Sequence, residues 1–196
     1  MRIEIWSDIA CPWCYIGKRR LETALAGFEH GDEVEVVYRS FQLDPSAPTV
    51  ATQTSQEMLV GKYGVSRAEA AQMQARVTEL AAAEGMAWRH DETVHANTFD
   101  AHRLLHLAKE SGRQAELKEA FLRANFVEAR NMADHAVLRE LALGAGLPAD
   151  RVDAVLAGEE VAADVRADID QARAYGATGG PFFVVDEKDG VSGAQP

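Results

Sequence analysis

Cysteine is scarce in this chain of 196 residues, which holds only Cys11 and Cys14. A disulfide between two cysteines this close would staple almost nothing, because closing so short a loop removes little chain entropy. There is no second C-x-x-C and no H-E-x-x-H, so a four-ligand zinc site would have to draw on scattered histidines, of which only His102 and His106 stand at helical i, i+4 spacing. No metal site is expected. No apolar run reaches the roughly 18 residues that a membrane-spanning helix needs. Positive charge is also in deficit, with 20 Lys and Arg against 31 Asp and Glu and a formal net charge of −11. A sequence-independent grip on nucleic-acid phosphates or anionic lipid is therefore not expected. Repeats and low-complexity tracts are absent. The first strand begins at Arg2, which leaves no room for a secretory leader, and the expected compartment is the cytoplasm.

The hydrophobic content is 47%, enough to bury a full core without a staple. The two cysteines sit together in Cys11-Pro12-Trp13-Cys14, directly after the alternating stretch Arg2 to Ile9. A strand running into C-x-x-C at a helix start places one sulfur at the positive end of the helix dipole, where a thiolate is stabilised. In a reducing cytosol such a pair is more often catalytic than structural.

Trp13, Ile16, Leu21, Leu25 and Phe28 predict a first helix from about Pro12 to Glu29, with Pro12 suited to the first turn. Glu33 to Arg39 alternates again and predicts a second strand, parallel to the first across a right-handed crossover. From Asp44 onward, for about a hundred residues, every periodic segment reads as helix. Ser66 with Glu69 forms a capping box opening a helix to about Glu84, Asn97 caps the next, Asp134 caps a later one, and Pro148 opens a short helix ending near Gly158. Leu117, Phe121, Leu122 and Phe126 mark one further helix, and Glu159 to Tyr175 is amphipathic with Gly176 behind it. The tail returns to strands, Pro181 to Val185 and Gly190 to Ser192, joined as a hairpin. Gly179-Gly180-Pro181 before it reads either as a plain turn or as a cis-proline.

The order β-α-β, helical insert, helix, Gly-Pro-strand, strand, with Cys-Pro-Trp-Cys at the first helix, resembles the thioredoxin-like fold as elaborated in DsbA-family oxidoreductases. Asp8 to Gly17, Asn97 to Leu104, Pro181 to Val184 and Val191 to Gln195 are similar to the FrnE branch of that family. The resemblance spans essentially the whole chain. It implies an α/β thioredoxin-like domain over 1–44 and 159–196, interrupted by a helical domain over 45–158. Two departures stand out. The family often has Val before the cis-proline where this chain has Gly180, so the groove beside the cysteines should be wider and less apolar. The fold normally closes with one more helix after the hairpin, whereas this sequence stops at Pro196, so either the chain is cut short or a sheet face is left partly uncovered.

Cys11, at the helix N-terminus with more solvent access, is the expected nucleophile, its pKa falling from about 8.5 toward about 3.5 to 7.5. Cys14 is the expected resolving thiol. Pro12 and Trp13 set the geometry between the sulfurs. The resemblance implies that Pro181 packs on the pair in the cis form and that the Gly180 backbone pairs with an extended substrate. Asp8 acts either as a proton acceptor for Cys14 or as a helix-end group. By resemblance His102 and Arg103 line the cleft; on their chemistry alone they read equally as a solvated helix face.

The expected function is a thiol–disulfide oxidoreductase of reductase or isomerase type. Its substrates are disulfide- or thiol-containing proteins or small molecules, it is recycled by thioredoxin or glutathione, and it needs no cofactor beyond the dithiol, with glutathione as a co-substrate. Two rivals carry other chemistry. Kappa-type glutathione transferases and chromene-carboxylate isomerases share the fold, but typically have Ser where this chain has Cys11 and need no resolving thiol. A redox-gated, chaperone-like binding protein would use the helical insert to grip apolar segments.

Overall fold

The computed structural model describes residues 1–196. The first alternating segment forms β1, Arg2–Ser7, and the second forms β2, Glu35–Ser40, paired in parallel with Arg2 opposite Glu35 and Ser7 opposite Ser40. Parallel neighbours need a crossover, supplied by α1, Pro12–Ala26. The tail forms β3, Phe182–Val185, and β4, Asp189–Ser192. β3 runs antiparallel to β1, giving the sheet order β2-β1-β3-β4. Asp186 and Glu187 both take positive φ at the hairpin turn, the geometry that matches the twist of the two strands.

Between β2 and β3 lie α2 (Ser55–Tyr63), α3 (Arg67–Ala83), α4 (Phe99–Glu110), α5 (Gln114–Phe126), α6 (His135–Gly144), α7 (Ala149–Ala157) and α8 (Ala162–Ala174). α8 packs on β1 and β2, whereas α2 to α7 form the inserted helical subdomain. This is the α/β thioredoxin-like fold with its large helical insertion.

Alternation along β1 explains why α1 is held so firmly. Ile3 and Ile5 bury with Tyr38, Leu21 and Phe183 on one face of the sheet. Trp6 points to the other face, among Phe41, Ala172 and Val184, and its Nε1 donates to the Asp168 carbonyl at 2.8 Å. The far side of α1 buries Tyr15 and Ile16 against Trp88, Leu122 and Phe126 of the insert, with Tyr15 stacked on Trp88 at 5.7 Å. Ile9 joins the main helical core with Leu104, Leu117 and Phe121. Each such side chain contributes about 1.5–3 kcal/mol on burial. The segment carrying the cysteines is thus clamped between sheet and insert.

Several boundaries differ from the sequence reading. α1 stops at Ala26, capped by Gly27, and Phe28 is 48% exposed rather than part of the apolar face. α2 was not anticipated: Thr54 and Glu57 form a reciprocal capping box, but the helix fully buries none of its residues and so lacks a strong apolar stripe. Ser66 and Asp134 cap as read. Asn97 sits one residue before the conformational N-cap, Thr98, yet its Oδ1 accepts the Phe99 N–H at 2.8 Å. α8 begins at Ala162 rather than Glu159, because Val161 takes a left-handed φ of 52°.

Candidate active site

Cys11 is the N-cap of α1, in extended conformation, and its carbonyl accepts the Cys14 N–H at 3.1 Å, which turns the chain into the helix. Pro12 follows at the first helical position, where a missing N–H costs nothing. The Gly180–Pro181 bond is cis, and the Cys11 thiol donates to the Gly180 carbonyl at 3.3 Å. One turn inside α1, Gly17 lies against the proline, where an added Cβ would meet Pro181 Cγ at 3.0 Å. Both cysteines are free thiols. The expected difference in exposure is absent, since Cys11 is 2% and Cys14 3% exposed. What separates them is the cavity: Cys11 lines it and Cys14 does not. Burial, with Cys11 alongside, pushes the Cys14 thiol well above the usual range.

The space that Gly180 leaves is not an open groove, contrary to expectation. A Cβ there would come 2.9 Å from the Cys14 sulfur, so the missing side chain makes room for that sulfur.

Asp8 is buried beside the pair, and its carboxylate accepts the N–H groups of Ile9 at 2.7 Å and Leu43 at 2.8 Å and faces His102 Nε2 at 3.2 Å. Burial pushes this carboxyl up, but the His102 and backbone contacts outweigh it and leave Asp8 below the usual range. His102 is fully buried, which pushes its imidazole down. His102 therefore neither lines the cavity nor meets solvent; it touches the site through Asp8. Its neighbour at helical spacing, His106, bonds to Asp168 at 3.0 Å, so the two histidines serve different carboxylates. Arg103 also departs from both sequence readings. It is 3% exposed, and its guanidinium donates to the carbonyls of Val155, Gly158 and Glu160, closing the C-terminal end of α7 away from the cavity.

Lys118 of α5 escaped the sequence reading. It is 1% exposed, with Nζ donating to the Ser7 carbonyl at 3.4 Å and lying 6.0 Å from the centre of the Tyr38 ring. Lys118, Leu122 and Asn125 share one face of α5 at i, i+4, i+7, and all three bury.

The cavity measures about 450 Å³ and runs from Cys11 and Gly180 past Trp13 toward Met58, Met73 and His90 of the insert. Trp13 is 39% exposed at its mouth. The DSBA-like thioredoxin domain matches residues 2–196. This chain belongs to the DsbA-like thioredoxin family. A crystal structure of a probable DsbA oxidoreductase from Streptomyces coelicolor is 55% identical, with a TM-score of 0.95 over 100% of this chain and 85% of that one. Two more distant structures share the fold. One is a 2-hydroxychromene-2-carboxylate isomerase, 12% identical with a TM-score of 0.74 over 99% of this chain and 89% of that one. The other is the cytosolic disulfide reductase DsbM from Pseudomonas aeruginosa with GSH, 19% identical with a TM-score of 0.65 over 98% of this chain and 90% of that one. This DsbA-like protein is a thiol–disulfide oxidoreductase that works through its cysteine pair on thiol- and disulfide-containing substrates. No helix is long and apolar enough to cross a membrane.

Proposed function

We propose that this DsbA-like protein is a cytoplasmic disulfide reductase or isomerase of the FrnE branch, with Cys11 as nucleophile and Cys14 as resolving thiol. The observation that carries the assignment is the asymmetry of the pair. Cys11 lines the cavity, while Cys14 lies behind it and is held as a thiol by burial. Cys11 as thiolate attacks a substrate disulfide, forming a mixed disulfide and releasing one substrate sulfur. Cys14 then attacks Cys11, the second substrate sulfur leaves as a thiol, and the pair is left oxidised. A thiol reductant, thioredoxin or glutathione, reduces the pair again. Glutathione fits this scheme as co-substrate because the cavity beside Cys11 is of small-ligand size.

Pro12 and Trp13 form the rim that orients substrate, and the backbone around Gly180 and Pro181 pairs with an extended substrate segment. A proton-acceptor role for Asp8 is disfavoured because its carboxylate is taken up by the N–H groups of Ile9 and Leu43 and by His102, none of them in α1.

The test is to mix single-cysteine variants with a disulfide substrate. Cys14→Ser should accumulate a mixed disulfide on Cys11, visible as a mass increment, and Cys11→Ser should accumulate none. The reverse pattern overturns the assignment. Full turnover by Cys14→Ser would instead favour glutathione chemistry without a dithiol cycle.

A further inference from the structure

Burying an ammonium costs several kcal/mol unless close partners compensate it. Lys118 is 1% exposed, makes no ion pair, and has one hydrogen bond, to the Ser7 carbonyl. The Cys14 sulfur lies close to the same residue, since a Cβ on Gly180 would meet Cys14 Sγ at 2.9 Å and Ser7 Cα at 3.7 Å. The ammonium and the sulfur thus flank one short stretch of backbone at the end of β1. A positive charge held there favours a negative charge on the sulfur, the more so because both groups are buried away from water.

We infer that Lys118 is a positioning residue for the second half of the exchange: seated on the Ser7 carbonyl, it stabilises Cys14 as a thiolate while Cys11 is tied up in a mixed disulfide. The inference rests on the assignment of Cys14 as resolving thiol. In that step Cys14 loses its proton, its sulfur bonds to Cys11, and the Cys11–substrate bond breaks. The departing sulfur takes the electron pair and gains a proton, so substrate is reduced and the pair oxidised. Ionising Cys14 is the costly part, because burial opposes it, and the nearby Lys118 charge favours it. The charged or titratable groups around Lys118 are Cys11, Cys14 and Lys18 from α1, Asp8 after β1, Tyr38 from β2 and His102 from α4. None of these side chains reaches the Ser7 carbonyl as Lys118 does.

The test needs no substrate. In a Cys11→Ser background, the rate of Cys14 alkylation by iodoacetamide is followed against pH, with and without Lys118→Met. Removing the ammonium should raise the midpoint by about one pH unit or more, about a tenfold loss of thiolate at a given pH. An unchanged midpoint in a variant with a native circular-dichroism spectrum overturns the inference. Should Lys118→Met fail to fold, the unmutated chain gives the same answer by NMR. The Lys118 side-chain resonance should titrate at lower pH in the disulfide form than in the dithiol form, and identical titration in both overturns it. Absence of disulfide turnover in the unmutated protein would sink the functional reading instead, and that is read in a separate assay.

Discussion

Gly17 and Pro181 are in contact across the joint between α1 and the cis-proline loop, so closely that a Cβ on Gly17 would sit 3.0 Å from Pro181 Cγ and 3.4 Å from both Ala194 Cβ and Phe183 Cζ. The helix that carries both cysteines is thus registered against the loop whose Gly180 carbonyl meets the Cys11 thiol. A valine at Gly17 must push helix and loop apart. Overpacking of this kind costs about 1–3 kcal/mol. Gly17→Val should therefore lower Tm by several degrees and reduce kcat/KM for a disulfide substrate more than Gly27→Ala, whose Cβ meets only helix carbonyls beyond 3.6 Å. Scanning calorimetry with an insulin reduction assay checks both.

Gly180 makes room for the Cys14 sulfur in the same way. Gly180→Val places a Cβ 2.9 Å from that sulfur, so Cys14 must shift relative to Cys11. The step that closes the Cys11–Cys14 disulfide should slow, while first attack by Cys11 is less affected. Rapid-quench experiments should then show a mixed disulfide accumulating in the variant, where the parent shows little.

The site was legible in the sequence wherever its signals are local. A strand followed by Cys11-Pro12-Trp13-Cys14, and Gly180-Pro181 before a strand, each declare their geometry within a few residues. Lys118 and Arg103 were not legible in that way, because charged residues on amphipathic helices ordinarily face water. What buries them is where α4 and α5 cross the rest of the molecule. Arg103 is captured by carbonyls more than 50 positions away and Lys118 by Ser7, 111 positions away. The burial of Cys11 is equally non-local, since it depends on Gly180 arriving beside it. α2 is the opposite case. Its start signal, Thr54 with Glu57, stands in the sequence, but no apolar stripe followed to draw attention to it.

His90 supplies a pH dependence of stability. It is 8% exposed, flanked edge-on by Trp88 and Phe126, and its Nδ1 has no partner. Burial pushes its pKa from 6.5 to about 4. The folded pKa is the depressed one, so the unfolded chain binds the proton more readily. The stability linked to this group is present above about pH 6.5 and is lost as pH falls toward 4. At about 1.4 kcal/mol per unit, the loss reaches about 3 kcal/mol. His90→Phe should flatten this part of the profile. Urea unfolding at pH 7 and pH 4.5 should show a smaller difference for the variant than for the parent. An equal difference would mean that His90 titrates normally in the folded state.

Arg103 separates structural from catalytic roles among the residues that the family motif brings together. Its guanidinium satisfies the carbonyls of Val155, Gly158 and Glu160 at the end of α7 and pairs with Asp100 at 2.9 Å. Asp100 also meets His135, but the three carbonyls have no other side-chain donor once Arg103 is gone. Leaving them unsatisfied in a buried setting costs about 1–3 kcal/mol each at most sites, with water able to re-enter at the partly exposed ones. Arg103→Ala should therefore destabilise the protein by about 2–4 kcal/mol and speed amide exchange in α7 and the turn to α8. The α7 terminus lies away from the cysteines, so kcat/KM per folded molecule should stay within about twofold of the parent, well under 1 kcal/mol of transition-state stabilisation. Hydrogen exchange and single-turnover disulfide reduction on the same preparation separate the two effects. A large loss of activity with native exchange rates would move Arg103 into the active site.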